Sequence, residues 1–461
     1  LVGTQLSAPD WLRARIAAQV NDSIAGVTVE FRDMSFVMQE GWVPRLSLRG
    51  VALRDDGGAP LARLSHLQSR VALGPLLRGE LRPAAIRLSG AALMLRRAAD
   101  GGVGLSLGEG PETVEEAETV AALVAGVDAF LQRPQFAALR QVVADNLTLR
   151  YEDARVGRAW TADGGRISLD RDGRDLEIRS DFALVGARDY ATTLEMRYTG
   201  RIGATAAEFA VDFDDMPARD IAGQSPALSW LMALDAPISG NFSGNVAPSG
   251  RLGPLDARLE IGQGVLHPTE GARPVAFDHA SSRFTYDPST QLLRFRDIEI
   301  DSSWGRARIE GQTRLTGMED GWPESLVSQF RVRSLTANPM KLYDVPAKFE
   351  GATMDMRLTL DPFRVTLGEM SLSDRGRNLV LNGEVRAERD GWHLSVDGRM
   401  PGIAPDRLLT LWPESLKPKT RTWIEENVRQ ATLRNMQFAL RAAPGGKPDV
   451  FLGFDFDDLT A

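Results

Sequence analysis

Apolar and polar residues alternate along most of this chain in short runs, broken by Gly, Asp and Pro. A period of two sends successive side chains to opposite faces of an extended backbone, so the pattern predicts many β-strands. In Leu46-Ser-Leu48-Arg-Gly50-Val-Ala-Leu53 the alternation holds up to the glycine, and it returns in Ile86-Arg-Leu88-Ser-Gly90-Ala-Ala-Leu93. A glycine at the same place in both runs predicts a bulge or bend that redirects the strand. Further strands are expected at Leu147–Tyr151, Ile167–Leu169, Leu176–Ile178, Leu194–Tyr198 and Phe209–Phe213.

Two longer similarities follow. The segment 293–315 matches 365–387 at an offset of 72, with Leu293, Phe295, Ile298, Ile300, Ala307, Ile309 and Gly311 falling on Val365, Leu367, Met370, Leu372, Leu379, Leu381 and Gly383. A strand-to-turn motif, Val211-Asp-Phe213-Asp-Asp215-Met216-Pro-Ala218, recurs at Phe330–Ala337, at Leu394–Gly402 with one inserted residue, and at Phe454–Ala461. Because the chain stops on that last copy, the native protein is expected to continue. Leu1 in place of Met leads to the expectation of a removed N-terminal segment, either a signal peptide or an anchor helix.

Helical spacing is rare. Residues 10–24 place Trp11, Ile16 and Val20 on one side. Residues 113–132 open on Thr113 and Glu116, a capping box, and continue with Val120, Leu123, Val124, Val127 and Leu131 before Pro134. A short continuation carries Phe136, Leu139 and Val143. Residues 405–429 predict two short helices, with Leu408, Leu411, Trp412, Trp423, Ile424 and Val428, separated at Pro413 and Pro418. Helices interrupting strand repeats are expected to cap an open β-structure.

Composition narrows the chemistry. The 461 residues are 43% hydrophobic and 25% charged, as in a folded protein. A net charge of −8 gives no general attraction for nucleic acid. The chain has no cysteine, which excludes disulfides, thiolate catalysis and thiolate-bound metal. Its four histidines (His66, His267, His279, His393) are scattered, so no metal site and no cofactor are expected. No apolar run reaches the roughly 18 residues of a membrane span. Gly102-Val-Gly104 and Gly446-Lys447-Pro448 fail as phosphate loops, and Gly223-Gln-Ser225-Pro-Ala227 lacks the final glycine of a nucleophile elbow, so Ser225 is read as a helix cap. The pairs Asp214/Asp215, Asp457/Asp458 and Asp55/Asp56 are read as turn-capping residues at strand ends, in preference to calcium ligands or an acid/base pair. Arg294, Arg296, Arg306 and Arg308 are read as the solvated face of a half-buried sheet. No catalytic residue is expected.

The apolar face remains. Few helices exist to cover it, and a curved sheet left open would form a trough, a surface of the size that normally marks binding. The stretch Pro44–Asp55, followed by Leu76-Leu77-Arg78-Gly79 and Ile86–Gly90, resembles the start of AsmA-like proteins. The helical insert before Leu147, the recurrent strand motifs and Trp412-Pro413…Trp423-Ile424 resemble the YhdP branch of that superfamily, which is related to TamB. The resemblance covers nearly the whole chain. It implies a mainly β fold, an elongated, curved, repeating β-groove (taco-like) with a few amphipathic capping helices. It also implies a periplasmic protein of a Gram-negative bacterium, anchored in the inner membrane by a helix absent from this chain. Its implied work is to carry phospholipids between inner and outer membranes, with a possible outer-membrane partner and no enzymatic activity.

On this reading residues 1–110 are the start of the groove with a leading helix, 111–146 a helical insert, 147–400 repeated groove modules, and 401–461 a helical segment before a further module. The expected lining is Leu46, Leu48, Leu53, Ile86, Leu88, Leu93, Leu147 and Leu149 in the first half. In the second half it is Phe295, Ile298, Ile300, Ile309, Leu367, Met370, Leu372, Leu379 and Leu381. Two other functions stay open: a scaffold for outer-membrane protein assembly that templates a client strand on an open edge, and, last, a cell-envelope glycan hydrolase using paired aspartates.

Overall fold

The computed structural model describes residues 5–7, 14, 18, 27–39, 43–55, 60–76, 82–99, 102–107, 115–117, 120–154, 157–185, 191–319, 321–338, 343–415, 417–428 and 430–460. The protein is mainly β, and among the described residues no helix is long and apolar enough to cross a membrane. The chain divides into two compact units, Leu1–Asp215 with Ser243–Gly253, and Met216–Phe242 with Pro254–Ala461.

The strands of the first unit are β1 (Gln5–Ser7), β2 (Val27–Glu30), β3 (Asp33–Gln39), β4 (Val43–Asp55), β5 (Pro60–Val71), β6 (Pro83–Ser89), β7 (Ala92–Arg97), β8 (Val103–Leu107), β9 (Glu115–Ala117), β10 (Gln141–Asp153), β11 (Arg158–Asp172), β12 (Asp175–Val185), β13 (Ala191–Arg201) and β14 (Ala207–Pro217). Its helices are α1 (Leu73–Leu76) and α2 (Val120–Gln132). Most neighbours pair antiparallel, but β10 runs parallel to both β6 and β7. Parallel strands cannot be joined by a hairpin. The crossover from Arg97 to Gln141 is made by β8, β9, α2 and a 3₁₀ turn at Pro134–Phe136. This is the structural reason for the helical insert.

In the second unit α3 (Ala218–Ala222) and a 3₁₀ helix at Pro226–Ala233 precede β15 (Leu234–Asp235), β16 (Pro237–Val246) and β17 (Leu252–Ile261), of which Ser243–Gly253 count with the first unit, then β18 (Gly264–Leu266), β19 (Val275–Asp287), β20 (Leu292–Ser302), β21 (Gly305–Glu319), β22 (Trp322–Ala337), β23 (Ala347–Phe349), β24 (Gly351–Leu360), β25 (Phe363–Asp374), β26 (Arg377–Glu388) and β27 (Gly391–Ile403). After α4 (Pro405–Leu411) and α5 (Pro418–Asn427) come β28 (Gln430–Ala442) and β29 (Asp449–Thr460). From β19 onward the sheet is antiparallel, each long strand pairing with the next long one. The two similar segments carry the same irregularity. The β20–β21 register slips between Phe295 and Ile298, and the β25–β26 register slips between Leu367 and Met370, the corresponding residues.

All five short runs expected as strands from Leu147 to Phe213 lie within β10 to β14. Gly50 and Gly90 adopt φ of 59° and 73°, the redirecting conformation expected of them. The helices need correction. Glu116 belongs to β9, paired with Gly104 of β8, and the described helix runs Val120–Gln132, so Glu116 is not in its first turn. Thr113 lies outside the described residues, as does nearly all of 10–24. Of the expected helical continuation, Phe136 ends a 3₁₀ turn and Val143 is already in β10, because the ladder to β6 offers partners that an isolated turn of helix lacks. Two short helices do occupy 405–427, with Pro418 at the start of α5. Ser225 accepts a hydrogen bond from the Ala227 amide at 3.3 Å and caps the 3₁₀ helix.

Candidate apolar binding face

Residues paired directly across an antiparallel ladder share a face, so register assigns the paired strand residues of the second unit to one face or the other. Phe295 sits opposite Gly311, Ile298 opposite Ile309 and Ile300 opposite Ala307. Gly311 faces Phe330, and Ile309 faces Val332. The row passes to Met354 and Ala352 on β24, then to Met370 and Leu372 on β25. Leu367 lies between Met356 and Gly383, while Met370 and Leu372 meet Leu381 and Leu379. Val396 and Leu440 continue the row from Gly383. All nine second-half residues expected to line a groove are therefore on one face. The other face carries Arg306 and Arg308, ion-paired with Asp301 and Glu299 at 2.9 Å each, and Arg296 near Asp256 at 3.9 Å. That is the solvated face expected of the arginines.

Among the described residues, the clusters packed over the apolar face lie at its ends. At one end Leu408 of α4, with Leu411 and Trp412, packs on Val332, Ala352, Leu372, Leu379, Met400 and Met436. Leu372 and Leu379 are thus closed beneath a helix. A buried ion pair holds that helix: Arg407 donates to Asp374 at 2.6 Å and 2.9 Å, and the contact raises the Arg407 pKa. At the other end Ala233 and Ala272 pack on Phe363 and Ala387. Between them Met354, Met356, Leu367, Val396 and Leu440 are half-buried and belong to neither cluster. Ile300 is 37% exposed. Two glycines thin this middle zone: a Cβ on Gly311 would come within 2.2 Å of the Gln329 carbonyl, and one on Gly383 within 2.3 Å of that of Ser395. Over Gly311 the rings of Phe295 and Phe330 close to 5.9 Å between centroids. Leu367 and Val396, the neighbours of Gly383, offer no such aromatic cover.

The first unit has an apolar face of its own. Leu46, Leu48, Leu53, Leu88, Leu93 and Leu147 join Val29, Met34, Val51, Leu64 and Ala91 in one cluster. Leu149 is half-buried between Leu93 and Ala162. Ile86 packs instead into a second cluster, where Leu131 of α2, Phe136 and Leu139 cover Leu176 and Ile202. Strict alternation would not give the first cluster, because Leu46 and Leu48 are even-numbered and Val51 and Leu53 odd. The parity changes at Gly50. It changes at Gly90 between Leu88 and Ala91, at Asn146 (φ 51°) between Ala144 and Leu147, and at Gly164 (φ 72°) between Ala162 and Ile167. Ser65 of β5 lies against Gly90, where a Cβ would meet its hydroxyl at 2.6 Å. These residues form a transverse line through adjacent strands, and on both sides of it the apolar residues face the same way.

Chemically reactive arrangements are sparse. Asp214 lies within β14, not at its end, and accepts from Thr193 Oγ1 at 3.3 Å; Asp457 lies within β29 and pairs with Arg434. Asp55 ends β4, and Asp56 lies outside the described residues. A hydroxyl and an imidazole do meet in the first unit, with Ser47 Oγ 2.5 Å from His66 Nε2. Ser47 is 6% exposed, and burial and then Arg49 lower the pKa of His66. Asp145, which would be the third member of a triad, takes its hydrogen bonds from Ser89 and Arg87. Burial and Asp153 push the Tyr151 hydroxyl up to about 12, so it stays protonated. One grouping was not singled out in the sequence, although its members fall within six residues: Glu388, Asp390 and His393 have ligand-capable atoms within 4.8 Å of one another across the β26–β27 hairpin. Comparison of the chain with protein-family models, with curated proteins and with solved structures finds no match in any of the three.

Proposed function

We propose that the protein is a non-enzymatic carrier of phospholipids. Acyl chains lie against the apolar faces and head groups remain in water. The observation that carries this reading is the middle zone of the second unit, where several consecutive strands present apolar side chains on one face and, among the described residues, the helix- and loop-covered clusters lie at the ends. Each CH₂ removed from water contributes about 0.8 kcal/mol, so a two-chain lipid strongly prefers such a face to solvent. A lining that is mostly apolar and carries no charged anchor favours sliding over tight capture. In this reading the sheets curve into a groove of repeated modules, and the protein works in the periplasm between inner and outer membranes, as the resemblance to AsmA-like proteins implies.

The test is native mass spectrometry of the chain purified from a bacterial envelope, with extraction of copurifying lipid. Phospholipid bound at one or more copies is expected. A lipid-free mass, with no uptake from added phospholipid vesicles, would defeat the reading.

A further inference from the structure

The hairpin between β26 and β27 places a histidine beside two carboxylates. Glu388 is the last residue of β26, Asp390 lies in the turn, and His393 is the third residue of β27. His393 Nε2 is 3.0 Å from Asp390 Oδ1 and 3.8 Å from Glu388 Oε2. Zinc bonds of about 2.0–2.1 Å in tetrahedral geometry set ligand atoms roughly 3.3–3.4 Å apart, so the two spacings at His393 need only a few tenths of an ångström of adjustment, and Glu388 and Asp390 offer oxygens within 4.8 Å of each other. Imidazole nitrogen and carboxylate oxygen are both donors that zinc accepts. We propose that Glu388, Asp390 and His393 form a binding site for a divalent cation of the zinc type, with one coordination position left to water or to a further ligand.

The surroundings support the assignment independently of the apolar face. Arg386 Nη1 lies 3.0 Å from Glu388 Oε1, the oxygen not turned toward His393, and so orients the carboxylate as outer partners of metal ligands do. The same guanidinium is shared with Glu384 at 3.0 Å, and Arg441 farther along is forked onto Asp397 at 2.7 and 2.9 Å. These cations are therefore already balanced. The hairpin is fixed from outside: Trp392 Nε1 donates to the Arg273 carbonyl at 2.6 Å, and the Gly271 backbone passes so close that a Cβ there would meet the Arg389 carbonyl at 1.8 Å. Glu388 and Asp390 also line a cavity of about 1270 Å³ with Phe363, Ala387 and Arg389, which gives the fourth position room for a ligand. His279, by contrast, lies 3.4 Å from Glu260 but belongs to no such three-ligand grouping among the described residues.

The experiment is a titration of the intact 461-residue chain, stripped with chelator, with Co²⁺, followed by visible absorption and then by displacement with Zn²⁺. Saturation at one equivalent with a tetrahedral-type spectrum is expected. His393→Ala and Asp390→Asn should each weaken binding at least tenfold, while His279→Ala should leave it unchanged, with circular dichroism confirming that all three fold. Saturable binding that survives both site variants, binding lost with His279, or no saturation of the wild type at millimolar Co²⁺ would each overturn the proposal.

Discussion

Replacing Leu367 by Asp separates an open apolar surface from a packed core. Leu367 is half-buried midway along β25, between Met356 and the bare backbone of Gly383. An Asp side chain is too short to carry its charge around the sheet to water. Where hydrocarbon lies over that position, an ionised carboxylate costs about 3 kcal/mol, by analogy with a charge at the centre of a bilayer. That corresponds to roughly 150-fold weaker lipid binding. The fold should lose only about 1 kcal/mol, since full burial of a leucine is worth about 1.5–3 kcal/mol and this one is partly open already. Thr366→Asp, the adjacent residue on the opposite face, is the matched control. The assay is equilibrium binding of a fluorescent phospholipid to each purified variant, with urea denaturation in parallel. Binding by Leu367→Asp within threefold of wild type, or an equal loss in Thr366→Asp, would refute the reasoning.

Two further outcomes are expected. Asp374→Ala strands the Arg407 guanidinium, whose side chain is 11% exposed, without its partner beneath α4; stability should fall by about 3–5 kcal/mol, and a urea-derived loss below about 1 kcal/mol would contradict the buried-pair argument. The folded state resists protonation of His66, because burial and Arg49 lower its pKa below 6.5 while the unfolded chain titrates normally. The unfolded state therefore binds the extra proton, and stability is lost as pH falls through about 6.5. Comparing wild type with His66→Gln at pH 5 and 7.5 checks this, and an unchanged pH dependence in the variant would count against it.

Local pattern carried the strands well because each long strand has one apolar and one polar face, as Leu46 and Leu48 illustrate in β4 and Val365 and Leu367 in β25. Placing all the second-half lining residues on one face also required the register slips between Phe295 and Ile298 and between Leu367 and Met370, which alternation alone does not give. What sequence missed depended on partners distant along the chain. Glu116 has a capping-box spacing, yet Gly104 supplies a strand to pair with, and the ladder outweighs a cap worth about 1 kcal/mol. The parallel pairing of β10 with β6 and β7 has no local signature. Asn146 does what Gly50 does, but only the glycines announce a left-handed backbone, although Asn adopts one more readily than most other residues. Glu388, Asp390 and His393 are close in sequence, but only the hairpin that sets Arg386 opposite His393 turns their ligand atoms toward one another. Leu372 looked like the open neighbours of Leu367, and nothing local to it says that a helix begun more than thirty residues later lies on top.

The line through Gly50, Gly90, Asn146 and Gly164 behaves like a shared frameshift. A strand is read two residues at a time, and a single slip anywhere would turn every later side chain to the wrong surface. Here neighbouring strands slip together at the same latitude, so the error cancels and both halves of each strand are read in phase. The seam is thus the place where an odd number of residues can enter or leave a strand of this sheet without inverting it, provided that its neighbours change with it.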